Sequence, residues 1–209
     1  MIETVPMLAP RRGDWIMTAS GRPFWPLDPS VDDVAIEDIA HHLSNLCRFT
    51  GAVRSFYSVA QHSVLVARRL TESVAMNGGD WHTRAVAGLY GLLHDASEAY
   101  LIDIPRPLKH APDFAPYRRV ETLVQGVVYE AFGLAAADEP AMLKAIDRQM
   151  LRTEQRDLMP PPAFDERRDD VEPYGWRIVP QIPEIARSGF LSTFRALIDV
   201  RDGEARAAR

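Results

Sequence analysis

A histidine and an aspartate stand side by side at His94 and Asp95, inside the apolar stretch LYGLLHDASEAYL. Such groups are costly in an apolar run unless they are paired, hydrogen-bonded or bound to a metal ion. Taken alone, the dyad divides evenly between a metal site and a capped or solvated pair. Adjacent helix residues point in different directions, so both can bind one ion only where their helix meets others. Two further stretches offer partners: His62 in YSVAQHSVLVA and Asp147 in MLKAIDRQM, each a polar residue in a largely apolar helical pattern. Two imidazoles and two carboxylates make a mixed nitrogen–oxygen set, which suits several divalent ions and leaves positions for water. An open position separates a catalytic site from a structural one. Glu98 follows His94 by four residues and Asp95 by three, so it shares their helix face. It can move protons as general acid or base, or it is a surface glutamate. Asp103, shortly before Pro105, can orient water or a ligand, or simply shape the loop.

These residues need elements to position them, and the pattern of apolar residues supplies a series of helices. Residues 1–13 read as a loose arm. WIMTASGRPFWPL, with apolar and aromatic residues on both sides of Ser20-Gly21, predicts a small β-ribbon, limited by its prolines. Val34, Ile36, Ile39, Leu43 and Leu46 recur at helical spacing, with Asp32 or Asp33 as the expected cap. CRFTGAVRSFYS reads as a crossing loop. Ser58 is the expected cap of a helix carrying His62 and ending at Gly78-Gly79. TRAVAGLYGLLHDASEAYLI predicts one central helix, apolar nearly all round, followed by the loop DIPRPLKHAPD. PYRRVETLVQGVVYEAFGL predicts a helix ended by Gly133, and EPAMLKAIDRQMLRTEQRDLM another with Pro140 in its first turn. Residues 160–182 read as a long surface excursion. IPEIARSGFLSTFRALIDV is the last helix, with EARAAR as a fraying tail. The fold class expected is all-α: a helical bundle with a small N-terminal β-ribbon.

Composition bounds the function. The chain has 209 residues, 46% of them hydrophobic and 25% charged, enough for a single domain with one core. A formal net charge of −5 lacks the basic footprint of a nucleic-acid binder. Cys47 is the single cysteine, so no intrachain disulfide is expected, and it reads as a small packing side chain. No secretory signal or membrane-spanning run is read, and a cytoplasmic location is the expectation. His41, His42, His82 and His110 read as surface or packing residues, as do Trp15, Trp25, Trp81 and Trp176. Phe56 and Tyr57 can flank a base, although aromatics in a helical protein more often belong to the core.

The ordered set resembles a known family. A His in VAQHS, the dyad in LLHDASEAYLIDIPRPLK and a later Asp in LKAIDR are similar to the HD superfamily of metal-dependent phosphohydrolases. Within it, the likeness is greatest to bacterial 5′-deoxynucleotidases and related phage-type dATP triphosphohydrolases, over residues 36–159. The resemblance implies an HD-domain core at 31–159, preceded by the arm and ribbon at 1–30 and followed by a loop and helix at 160–209. It implies one divalent ion (Mn, Co, Fe, Ni, Zn or Mg) on His62, His94, Asp95 and Asp147. Glu98 then assists the attacking water, and Asp103 is a second carboxylate near it.

The resemblance also implies an arginine on the substrate phosphate, shortly before the first histidine. Arg48 has nearly the right distance and Arg54 is its rival. Phe49 stands where the deoxynucleotidases have a Trp that shapes the nucleoside pocket. Lys109 and Arg106 add charge for a longer phosphate chain, or are exposed loop charges. The function implied is hydrolysis of a nucleotide, first a deoxynucleoside 5′-monophosphate. The alternatives are a triphosphohydrolase and, from another class, a non-catalytic nucleotide-binding sensor. A small phosphorylated molecule is the expected partner, with no nucleic-acid polymer and no membrane, and a homodimer is implied by the likeness.

Overall fold

A computed structural model of the chain describes residues 11–161 and 171–207, with side chains as far as 203. Most of the expected N-terminal arm, part of the excursion after residue 160 and the end of the tail lie outside the described residues.

The chain is mostly helical, with a small antiparallel sheet. Strand β1 (Ile16–Met17) pairs with β2 (Pro23–Phe24), Ile16 opposite Phe24. Gly21, at φ 80°, closes the turn between them. The ribbon is fastened at both ends. Phe24 is fully buried and its ring stacks on Tyr100 at 3.8 Å. Ser20 donates twice to the buried Asp38, from its backbone at 2.7 Å and its hydroxyl at 2.8 Å.

Helix α1 spans Ile36–Asn45. The expected capping by Asp32 or Asp33 falls elsewhere. Ser30 caps a 3-10 turn at Val31–Asp33, with Asp33 completing the capping box, and α1 begins afresh at Ala35 without a side-chain cap. The loop that follows is pinned as a narrow hairpin, with the Arg48 N–H donating to Tyr57 O at 2.9 Å. Helix α2 (Val59–Met76) is capped by Ser58 as expected. Helix α3 (Trp81–Leu93) is capped by Asp80.

Here the structure corrects the sequence reading. The single helix expected through Ile102 stops at Leu93; residues 94–97 form a turn before the short helix α4 (Glu98–Leu101). The ladder tightens, with Ala96 N–H reaching Leu93 O and Glu98 N–H reaching Asp95 O, each at 3.0 Å. The His94 ring adds a bond to Gly91 O at 2.9 Å. Side chain and backbone therefore agree in breaking the helix at the dyad. Part of the expected loop is a single helical turn, α5 (Arg106–Lys109).

Helix α6 (Ala115–Ala131) is followed by Gly133 at φ 71°, as expected. Helix α7 (Leu143–Leu158) starts later than expected. Pro140 lies ahead of it, in a turn whose carbonyl accepts from Leu143 N–H at 2.9 Å. Helix α8 (Pro183–Ala207) outruns the expected end, its backbone helical into the tail.

Of the expected surface excursion, residues 160–161 and 171–182 are described. The second stretch runs over the surface as a strap laid on the bundle, with Tyr174 and Ile178 buried. Arg156 holds the carbonyls of Tyr174 at 2.6 Å and Trp176 at 2.5 Å. Gln61 holds Val179 O and Gln181 N–H at 2.8 and 2.9 Å.

The core lies where α2, α3 and α8 pack together, with α1 and α7 against its flanks. Two glycines on α3 let the core helices approach closely. A Cβ on Gly91 would lie 2.7 Å from the Ala67 Cα, and one on Gly88 would lie 2.7 Å from Leu197 of α8. Among the described residues, no helix is long and apolar enough to cross a membrane.

Candidate metal centre

Three of these elements, α2, the turn after α3 and α7, deliver the four predicted ligands to one point. Ser58 fixes the start of α2, so His62 sits in its first turns, facing inward and fully buried. The break after α3 turns His94 and Asp95 toward it. Helix α7 contributes Asp147 from its second turn, its side chain 41% exposed toward open space. His62 Nε2 lies 3.3 Å from His94 Nε2, 3.2 Å from Asp147 Oδ1 and 3.6 Å from Asp95 Oδ2. His94 Nε2 lies 3.2 Å from Asp95 Oδ2 and 3.9 Å from Asp147 Oδ1. His62, His94 and Asp95 form a group that could hold a metal ion.

The donor chemistry fits such an ion. Glu154 Oε1 sits 2.6 Å from His62 Nδ1, and Gly91 O sits 2.9 Å from His94 Nδ1. Both are acceptors, so each Nδ1–H donates outward and each neutral ring leaves its Nε2 lone pair facing the cluster. Two lone pairs and two carboxylates converging within 4 Å repel one another unless a positive charge lies among them.

The charges around the cluster shift the ionisation of His62, His94 and Asp95. Burial and Arg48 both oppose a charge on His62, yet Glu154 and Asp147 outweigh them and hold its pKa up at about 9. His94 is also raised: burial works against its charge, and Asp95 overcomes it. Burial likewise opposes the Asp95 carboxylate, but His94, His62 and Arg48 keep it well below the usual range.

A cavity of about 510 Å³ opens over this cluster, lined in part by Arg48, Asp95, Glu98, Asp103, Lys109 and Asp147. Glu98 is only 5% exposed and its Oε2 has no hydrogen-bond partner. Burial, with Asp95 and Asp103 nearby, pushes its carboxyl well above the ordinary value. Asp103 is raised too, chiefly by burial. A carboxyl raised in this way is suited to giving and taking a proton.

Arg48 is brought to the centre, its Nη1 3.5 Å from Asp95 Oδ2. Its rival Arg54 is not. That residue is exposed, its backbone N–H donating to Leu158 O at 2.9 Å, and it does not line the cavity. Phe49 does not line it either; its ring lies 5.4 Å from the Arg48 guanidinium, and its backbone takes the left-handed φ of 56°. Lys109 lines the cavity but is ion-paired with Glu121 at 2.5 Å. Arg106 lines it as well.

The sequence reading missed Glu154, which is completely buried. Its Oε1 accepts from His62 and from the Tyr57 hydroxyl at 2.9 Å, and its Oε2 lies 3.2 Å from Arg48 Nη2. Burial opposes its charge, but Arg48 and His62 keep it ionised below the usual glutamate range. Glu154 follows Asp147 by seven residues, two helical turns on the same face, and that spacing was the available signal.

Fold and site together define a helical protein with a His–Asp cluster able to hold a metal ion, opening onto a polar cavity. The chain is 41% identical over 148 residues to "Uncharacterized protein YfdR" of Escherichia coli (strain K12), covering 69% of this chain and 72% of that protein. It is 34% identical over 149 residues to "Uncharacterized protein RCAP_rcc00048" of Rhodobacter capsulatus, with the same shares covered. The chain belongs to the family of these two proteins. No family model matches it.

Proposed function

We propose that this chain is a metal-dependent phosphohydrolase of the HD type, acting on a nucleotide. One observation carries the reading: His62, His94, Asp95 and Asp147 converge beneath a cavity that also presents Arg48, Glu98 and Asp103. A bound divalent ion supplies two things, a lowered pKa for water at an open position and polarisation of a phosphoryl oxygen. Arg48 receives the phosphate with planar paired donors, its own orientation fixed by Glu154. Glu98 holds or moves the proton of the attacking water, and its unpartnered Oε2 leaves it free to do so. Asp103, on the same cavity wall, orients that water.

A deoxynucleoside 5′-monophosphate is the favoured substrate over a triphosphate. Lys109, the natural contact for a longer phosphate chain, is engaged by Glu121. A non-catalytic sensor is the reading of another class, and a buried carboxyl without a partner beside the ligands weighs against it. The test is product release from a panel of nucleoside mono-, di- and triphosphates with Mn²⁺, Co²⁺ or Mg²⁺, against an EDTA control. Metal-dependent release of orthophosphate from monophosphates is expected. Release of tripolyphosphate would shift the assignment to the triphosphohydrolase, and nucleotide binding without turnover would favour the sensor.

A further inference from the structure

Glu154 joins two parts of the site that the sequence keeps far apart. It is fully buried on α7, and its two oxygens face different partners. Oε1 takes the His62 Nδ1–H at 2.6 Å and the Tyr57 hydroxyl at 2.9 Å. Oε2 lies 3.2 Å from Arg48 Nη2 and 3.3 Å from Arg48 Nε. On one side it fixes which nitrogen of His62 faces the cluster. On the other it grips two of the three guanidinium nitrogens and leaves Nη1 near Asp95. A buried carboxylate that only neutralised a buried arginine would have no need to orient an imidazole as well.

We infer that Glu154 is a positioning residue serving both halves of the site: through Oε1 it aims His62 at the metal, and through Oε2 it aims Arg48 at the phosphate. This rests on the phosphohydrolase reading. The two oxygens make the roles separable. In Glu154→Gln the amide oxygen can still accept from His62 and Tyr57, whereas the amide nitrogen meets Arg48 donor to donor. Glu154→Ala removes both supports. Electrostatics alone predicts the opposite sign for the anion, because deleting a buried negative charge strengthens anion attraction. Weaker phosphate binding therefore reports lost orientation.

The experiment is calorimetry of metal-free wild type, Glu154→Gln and Glu154→Ala with Mn²⁺. It is followed by titration of the Mn²⁺-loaded proteins with inorganic phosphate. Asp157→Asn serves as a control for general destabilisation, since Asp157 lies on the same helix and anchors the strap instead. Glu154→Ala should bind Mn²⁺ about 10–100-fold more weakly, the range for a lost partner of a ligating histidine. Glu154→Gln should lose clearly less Mn²⁺ affinity than Glu154→Ala, and both should bind phosphate at least several-fold more weakly. The control should melt earlier with both affinities unchanged. The inference is overturned if only the melting temperature moves, if just one affinity falls in Glu154→Ala, or if Glu154→Gln binds phosphate as wild type does. Should Glu154→Ala fail to fold, Glu154→Gln against wild type decides through phosphate binding. If wild type takes up no Mn²⁺ at all, it is the metal reading that has failed, and this inference with it.

Discussion

At the scale of single residues, Glu98 has opposing effects on stability and chemistry. Its carboxyl is buried beside Asp95 and Asp103, and its folded pKa is raised. Below the ordinary glutamate pKa of about 4.5 the group is protonated both folded and unfolded and costs nothing. Above it, the unfolded chain ionises first, so the metal-free protein loses stability as pH rises toward the folded pKa. Glu98→Gln should therefore melt higher than wild type in EDTA. That gain should be absent near pH 4 and grow toward neutral pH in a thermal-melt series. The same variant should lower kcat by about 10²–10⁴-fold while keeping its metal. Equal melting curves at neutral pH would contradict the burial argument. The four clustered residues, His62, His94, Asp95 and Asp147, were legible in the sequence because each interrupts an apolar pattern. Glu154 was not, because RTEQRD around it is polar throughout and only the seven-residue spacing from Asp147 marks its face. Arg54 was a rival to Arg48 only because spacing along a loop does not reveal which arginine turns inward.

At the scale of elements, the contact between α2 and α3 sets the spacing of the two histidines. A Cβ on Gly91 would meet Ala67 backbone atoms at 2.7 and 3.0 Å, so backbone must move. Alanine favours a helix over glycine by about 1 kcal/mol. Even so, Gly91→Ala should destabilise by about 1–3 kcal/mol in chemical denaturation. It should also weaken Mn²⁺ binding, since α2 carries His62 and α3 leads into His94. Unchanged metal affinity would show that the two helices adjust independently of the site.

Asp157 plays the matching part for the strap. Its oxygens accept from Arg156 at 2.7 and 2.9 Å, Arg177 at 2.6 Å and Ile178 N–H at 2.9 Å. Burial opposes its charge, but those donors hold its pKa down at about 2. A lowered carboxylate stabilises the fold above its unfolded pKa, and that contribution fades as pH falls from about 4 toward 2. Asp157→Asn should cost about 1–3 kcal/mol at neutral pH and make acid unfolding shallower in that window. An unchanged acid transition would place the strap's anchorage elsewhere. The strap was legible as a surface excursion from its prolines and charges, but its anchorage was not, because single buried residues such as Tyr174 and Ile178 leave no periodic trace. The break at His94 was hidden for the converse reason. Apolar residues continue on both sides of it, and only side-chain and 3-10 bonds end the helix.

At the scale of the molecule, periodic apolar residues made the helical class readable, and the glycine turn made the ribbon readable. How the elements come together was not, because α8 reaches α3, α1 and α2 from the far end of the chain. A bundle with one shared core should couple metal binding to global stability. Saturating Mn²⁺ at a hundredfold over its Kd should stabilise the fold by about 2.7 kcal/mol. Under the proposed function, His62, His94, Asp95 and Asp147 hold one catalytic divalent ion. The most direct test is calorimetric titration of metal-free wild type and Asp95→Ala with Mn²⁺, with orthophosphate release from a deoxynucleoside monophosphate measured on the same samples. One ion per wild-type chain with matching activity, both lost in Asp95→Ala, is the predicted result. Hydrolysis that persists in Asp95→Ala or in EDTA, or a wild type that binds no divalent ion, would contradict it.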